Sequence, residues 1–171
     1  MKERKLLLLG LLLTQSRHGY QINDFIEKNL AACIEIKRST AYSTLDNLCA
    51  AGYVHMDVEQ NGNRPPRKVY TLTAKGLKLF DRLLKESLTK LEGHTTPFET
   101  ALLYIDAVQP HERLTLLERR KELLGQAISE LESVPSHGEG SGVNFSISHR
   151  LYVMRAELEW LTMEIERSTG T

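Results

Sequence analysis

Between residues 39 and 91 the spacing of the apolar residues changes period twice, which constrains the fold more than any other feature of the chain. Ala41, Leu45, Leu48 and Cys49 share one face at about 100° per residue, the spacing of an α-helix. Val54, Met56 and Val58 then alternate with His55, Asp57 and Glu59, a period of two that reads as a strand with one buried face. Tyr70 and Leu72 continue the pattern on a return strand. Thr73 is placed to cap a further helix from near Ala74-Lys75-Gly76 to about Leu91. The connection between the strands includes Asn61-Gly62, which supplies turn chemistry, and Pro65-Pro66, which stiffen the tip. A two-stranded hairpin cannot bury much on its own, so the flanking helices have to supply the core.

Upstream of this region a helix is predicted over about residues 3–14, apolar on all sides and therefore buried on several faces. A second runs from His18-Gly19-Tyr20 to about Asn29, with Ile22, Phe25 and Ile26 at helical spacing. Ser39 or Thr40 can cap the third, and Gly52 can end it in a left-handed position. The order helix, helix, helix, hairpin, helix predicts a winged helix-turn-helix over residues 1–93. The first residues, Met1 to Lys5 followed by Leu6 to Leu13, imitate the basic and apolar regions of a secretory leader. No A-x-A-like site follows, and the run is too short to cross a membrane. A buried helix accounts for it, and a cytoplasmic protein is expected. Having only Cys33 and Cys49 excludes a disulfide framework or a four-cysteine zinc site and suits a reducing compartment.

The outer face of the third helix carries Thr40, Ser43, Thr44 and Asn47, with no long charge and no large apolar group. A merely solvated face more often carries Lys and Glu. Short hydrogen-bonding side chains let a helix approach base edges closely, and Asn can bridge N6 and N7 of adenine. These four residues are the base-reading candidates, and Ser39 is a further DNA-binding candidate. Lys37 and Arg38 precede the helix and can reach phosphates beside its positive N-terminus. Arg64, Arg67 and Lys68 bracket the hairpin tip and suit backbone or minor-groove contact. Tyr20 and Tyr42 can each pack a ring while offering a hydroxyl to DNA. The charge distribution agrees. Residues 1–95 carry 15 Lys and Arg against 10 Asp and Glu, whereas residues 96–171 carry 7 against 12. Double-stranded DNA is thus the expected partner of the first half.

After a break at Gly93 to Pro97 the helical pattern resumes with Phe98, Leu102, Ile105 and Val108, and Pro110 starts another helix. A polar loop, Pro135 to Gly142, precedes a last helix over about residues 144–167. Here Ile147, Leu151, Met154, Leu158, Leu161 and Ile165 are spaced 4-3-4-3-4, an a/d seam over nearly three heptads. Val153 and Trp160 widen the apolar face beyond what one partner helix covers, so residues 97–168 are expected to form an α-helical dimerisation domain. Phe98, Tyr104 and Trp160 are candidates for a pocket that takes a small aromatic effector.

The six histidines form no H-x-x-x-H and pair with no cysteine at ligand spacing, so neither metal nor cofactor is expected. No G-x-S-x-G, phosphate-binding loop or dinucleotide fingerprint is present, which argues against an enzyme. The competing reading is a winged-helix protein-interaction module that does not bind DNA. Such a module would favour exposed apolar anchors on the hairpin and third helix.

Taken in order, Leu9-Gly10-Leu11, His18-Gly19-Tyr20, Thr40-Ala41-Tyr42-Ser43-Thr44-Leu45-Asp46-Asn47-Leu48, Ala51-Gly52-Tyr53-Val54 and Arg67-Lys68-Val69-Tyr70-Thr71-Leu72-Thr73-Ala74-Lys75-Gly76 resemble the PadR family of transcriptional regulators. The resemblance covers about residues 5–90. Arg155-Ala156-Glu157-Leu158-Glu159-Trp160-Leu161 is a looser match to the family's longer subgroup. It implies a mostly α-helical dimer with a winged-helix head, a helical C-terminal dimerisation domain, and repression commonly relieved by a small molecule such as a phenolic acid or a drug. Ser43 departs from the pattern, standing where the family often has proline.

Overall fold

The computed structural model describes residues 2–13, 17–18, 36–60, 66–91, 93, 95–138 and 141–169. The chain divides into two compact units, Met1–Glu92 and Gly93–Thr171.

In the first unit the order is α1 (Lys2–Leu11), β1 (Arg17–His18), α2 (Arg38–Ala50), β2 (Val54–Glu59), β3 (Arg67–Leu72) and α3 (Ala74–Thr89). The strands form an antiparallel sheet in the order β1-β3-β2. The hairpin register sets Val54 opposite Leu72, Met56 opposite Tyr70 and Glu59 opposite Arg67. The wing is the expected two-stranded hairpin. A two-residue strand adds to its other edge, pairing Arg17 with Tyr70, and is too short to show a period in the sequence. His18 lies in that strand rather than opening a helix. The rest of the expected second helix, to Asn29, falls outside the described residues.

Leu8, Leu9, Leu11 and Leu12 pack with Ala41, Leu45 and Leu48 of α2, Val54, Val69 and Tyr70 of the sheet, and Leu79 and Leu83 of α3 to make the core. Each buried leucine or valine contributes roughly 1.5–3 kcal/mol relative to exposure. α1 is buried on several faces, through Leu8, Leu9 and Leu11, with Leu6 and Leu7 half-buried. β2 departs from its pattern. Val54 is buried, but Met56 and Val58 are exposed, Val58 to 61%. Of β2 only Val54 is buried, so the alternation outlasts the core.

Neither Ser39 nor Thr40 caps α2. Lys37 is the last extended residue (φ −69°, ψ 143°), and its carbonyl already accepts from Ala41 N at 3.0 Å, so both hydroxyl residues lie inside the first turn. The other end is as expected. Gly52 adopts φ +74°, Tyr53 N donates to Leu48 O at 2.9 Å, and Gly52 N donates to Cys49 O at 2.9 Å, which is a Schellman closure. Thr73 fastens this end to α3. Its hydroxyl oxygen accepts from Gly76 N at 3.0 Å, while its proton lies between the carbonyls of Gly52 (2.9 Å) and Tyr53 (3.0 Å). Lys75 Nζ donates to Ala51 O at 2.8 Å and sits 4.7 Å from the Tyr53 ring centroid. A Cβ on Gly76 would stand 2.0 Å from Tyr53 O, so only glycine fits. α3 ends at Thr89, two residues short of the expected Leu91, which is almost fully exposed.

The second unit contains α4 (Pro97–Leu102), a 3₁₀ turn (Ile105–Ala107), α5 (Pro110–Glu132) and α6 (Gly142–Thr169). Thr96 and Glu99 form a capping box. Glu99 N donates to Thr96 Oγ1 at 3.1 Å, and Thr96 N donates to Glu99 Oε2 at 2.6 Å. These hydrogen bonds to Thr96 hold the Glu99 carboxyl below its ordinary pKa. The helix expected from Phe98 through Val108 breaks at Leu103-Tyr104 into α4 and the 3₁₀ turn. α5 and α6 run antiparallel, because Arg120 meets Glu157 (2.7 Å) while Glu132, further along α5, meets Arg155 (2.6 Å) earlier in α6. Leu117, Ile128, Leu131 and Leu161 are buried there. The polar connection is tied to α6 by Asn144, whose amide accepts from His137 N (3.1 Å) and donates to Gly138 O (2.7 Å) and Ser136 Oγ (3.2 Å).

Candidate nucleic-acid interface

α2 has two unlike faces. Ala41, Leu45 and Leu48 are buried, which fixes the helix axially and rotationally against the core. Turned outward are Ser39, Ser43 and Asn47, all exposed, with Thr40 and Thr44 half-buried. The Thr44 hydroxyl donates to Thr40 O at 2.7 Å, so its proton is committed to the helix and its lone pairs remain as acceptors. Lys37 and Arg38 are exposed, and the Arg38 guanidinium lies 5.9 Å from the Tyr42 ring centroid. Tyr42 itself is half-buried on the flank of the helix.

The outer face of α2 is the floor of a groove of about 390 Å³, lined by Ser39, Thr40, Ser43, Thr44 and Asn47 together with Arg4 and Lys5 of α1. The structure therefore gathers the four base-reading candidates and Ser39 into one concave surface. It adds two cations that sequence reasoning missed. Their signal was present as Arg4-Lys5 at the head of the first helix, but it was read only as an imitation of a leader.

On the wing, Arg67 and Lys68 are exposed. Lys68 Nζ lies 4.0 Å from Asp46 Oδ1 on α2, with both side chains more than half exposed, so the contact is weak and leaves the ammonium accessible. Tyr20 and Arg64 lie outside the described residues. Behind α2, the buried Tyr70 hydroxyl has no hydrogen-bond partner among the described residues. Its pKa is pushed up to about 12 by burial first, then by Asp46, Cys49 and Tyr42. Burial, with Asp46, also raises the Cys49 thiol, which keeps it protonated and unreactive.

In the second unit, Phe98 and Trp160 meet edge to face, with centroids 6.1 Å apart at 76°. The Arg120 guanidinium lies 3.5 Å from the Phe98 centroid and also holds Glu157. Tyr104 is not part of this cluster and is 70% exposed. Of the a/d seam, Leu161 is fully buried and Ile147, Leu151, Met154, Leu158 and Ile165 are half-buried. The opposite side of α6 carries Phe145, Tyr152 and Met163, exposed to 71%, 77% and 49%. Among the described residues no three His, Cys, Asp or Glu are grouped to hold a metal ion, and no helix is long and apolar enough to cross a membrane.

The two units are thus a winged helix and a helical hairpin. Residues 8–82, a little under half of the chain, match the model of the transcriptional regulator PadR-like family. The fold extends over nearly the whole chain in solved structures. Bacillus subtilis PadR in complex with operator DNA is 20% identical, with a TM-score of 0.79 over 96% of this chain and 98% of that one. The same protein with p-coumaric acid gives 0.75 at 20% identity, over 96% and 94%. A PadR-like transcriptional regulator from Bacillus cereus gives 0.71 at 19% identity, over 98% and 96%. No curated protein matches the chain in sequence.

Proposed function

We propose that this chain is a sequence-specific DNA-binding repressor that acts as a homodimer on a near-palindromic operator in the cytoplasm. The observation that carries the reading is the outer face of α2, a rigidly held helix presenting Ser39, Ser43 and Asn47 beside Thr40, Thr44 and two cations. Such a face can enter a major groove and exchange hydrogen bonds with base edges, while Lys37, Arg38, Arg67 and Lys68 meet phosphates. The solved structure of Bacillus subtilis PadR with operator DNA supports it by analogy of fold.

The dimer is expected to form through α6. Its half-buried seam from Ile147 to Ile165 and its exposed Phe145, Tyr152 and Met163 leave more apolar surface than α5 covers. Two heads related by a two-fold would read half-sites about one helical turn, near 10 base pairs, apart. The effector reading rests on the Phe98–Trp160 pair and on the p-coumaric acid complex of Bacillus subtilis PadR. A small aromatic ligand would release the operator, and quenching of Trp160 fluorescence across a panel of phenolic acids tests that part separately.

The test of the main reading is selection from a randomised duplex pool at several salt concentrations. An enriched palindrome whose affinity falls steeply with salt is expected. One observation favours the alternative, a protein-interaction module, namely the exposed Met56 and Val58 on β2. Tight binding of a protein partner that survives Arg67→Ala and Lys68→Ala, with no enrichment of any duplex, would establish that reading instead.

A further inference from the structure

We infer that Arg4 and Lys5 of α1 form a second phosphate clamp, gripping the DNA strand across the major groove from the strand that the wing meets. The inference rests on the DNA-binding reading and extends its footprint to an element outside the helix-turn-helix and the wing. Three observations carry it. Arg4 and Lys5 share the groove with Ser39, Thr40, Ser43, Thr44 and Asn47, and none of its seven lining residues is acidic. Among the described residues, neither cation has a carboxylate within ion-pairing distance. Lys2, earlier in α1, differs, since it is held by Glu86 of α3 at 3.2 Å. Finally, the two flanks of α2 are occupied by different elements. Asp46 faces the wing, where Lys68 approaches it, whereas the groove side is walled by α1.

A helix seated in a major groove about 12 Å wide has a phosphate backbone along each side. The wing cations serve one side. On the other side Arg4 and Lys5 stand beside the short side chains of α2, and they extend along that flank the phosphate contacts that Lys37 and Arg38 offer at the helix N-terminus. Cations on both flanks also fix the depth and tilt of the helix, so base reading by Ser43 and Asn47 depends on them without their carrying sequence information.

The test uses the full chain with two duplexes, one of random sequence and the one recovered by selection. The Arg4→Gln/Lys5→Gln variant keeps the stems and hydrogen-bonding capacity but removes both charges. Each lost phosphate contact should lower the slope of log K against log salt by about 0.9, so the double variant should lose about 1.8 per head, or about 3.6 for a dimer with both heads bound. Affinity should fall by the same factor on both duplexes, and Arg4→Lys/Lys5→Arg should restore the slope. If the double variant folds poorly, Arg4→Gln alone, at an exposed position, should still lower the slope by about 0.9 per head. An unchanged slope, or a loss confined to the selected duplex, would overturn the inference while leaving DNA binding intact. Failure of the unaltered chain to bind either duplex would instead remove the DNA-binding reading and this inference with it.

Discussion

α2 and α6 each bury one face and expose the other, and their exposed faces are opposites. α2 shows Ser39, Ser43 and Asn47, whereas α6 shows Phe145, Tyr152 and Met163. Water tolerates the first at no cost. The second leaves large rings in solvent, and exposed apolar stripes of this kind mark association surfaces. Burial thus tells which side of a helix holds the fold. The chemistry of the other side points to its partner, which on the proposed reading is nucleic acid for α2 and a second copy for α6.

The largest expected effects fall on the buried faces, which should respond alike. Leu161→Ala should cost about 2–5 kcal/mol by leaving a cavity between α5 and α6, seen as a lower denaturation midpoint. Gly76→Ala should cost roughly 1–3 kcal/mol or more, because its methyl would meet the Tyr53 carbonyl at a corner with little room to shift. The outer faces should then separate. Phe145→Asp with Tyr152→Asp should weaken self-association by at least about 2 kcal/mol, read by sedimentation, with little effect on folding of the single chain. Asn47→Ala should leave association alone and cost about 1–3 kcal/mol on the selected duplex, with less effect on random DNA. Should the two outer-face variants behave alike, the division of labour fails.

The smallest effect concerns the support behind α2. Tyr70→Phe removes a buried hydroxyl without a partner among the described residues, so it should be neutral to slightly stabilising. The pKa of Tyr70 is raised in the folded chain, so its contribution is fully present below the unfolded value of about 10 and is lost as pH rises through about 12. Alkaline unfolding in that window should be blunted in Tyr70→Phe, and a pH titration followed by circular dichroism checks it.

Sequence patterning revealed most of the winged-helix unit because local signals there agree with the tertiary structure. The period change at Val54, the glycine at position 52 and the threonine cap at 73 each report a backbone event that also occurs in the fold. It failed where the decisive contact is distant. Lys37 preempts Ser39 and Thr40 as the cap because the chain turns into α2 earlier than the hydroxyls suggest. Arg4 and Lys5 join the site only through packing of α1 beside α2, which no spacing within either helix encodes. In the second unit the a/d seam was plain, but α5 already engages it within the chain. The exposed stripe at Phe145, Tyr152 and Met163, spaced 7 and 11 residues apart, repeats too sparsely to stand out.

Sedimentation of the full chain with the duplex recovered by selection tests both faces at once. The account predicts two chains on each near-palindromic duplex, reduced to weak binding by Phe145→Asp with Tyr152→Asp and to loss of sequence preference by Asn47→Ala. One chain per duplex, or no preference for the selected sequence in the unaltered protein, would contradict it.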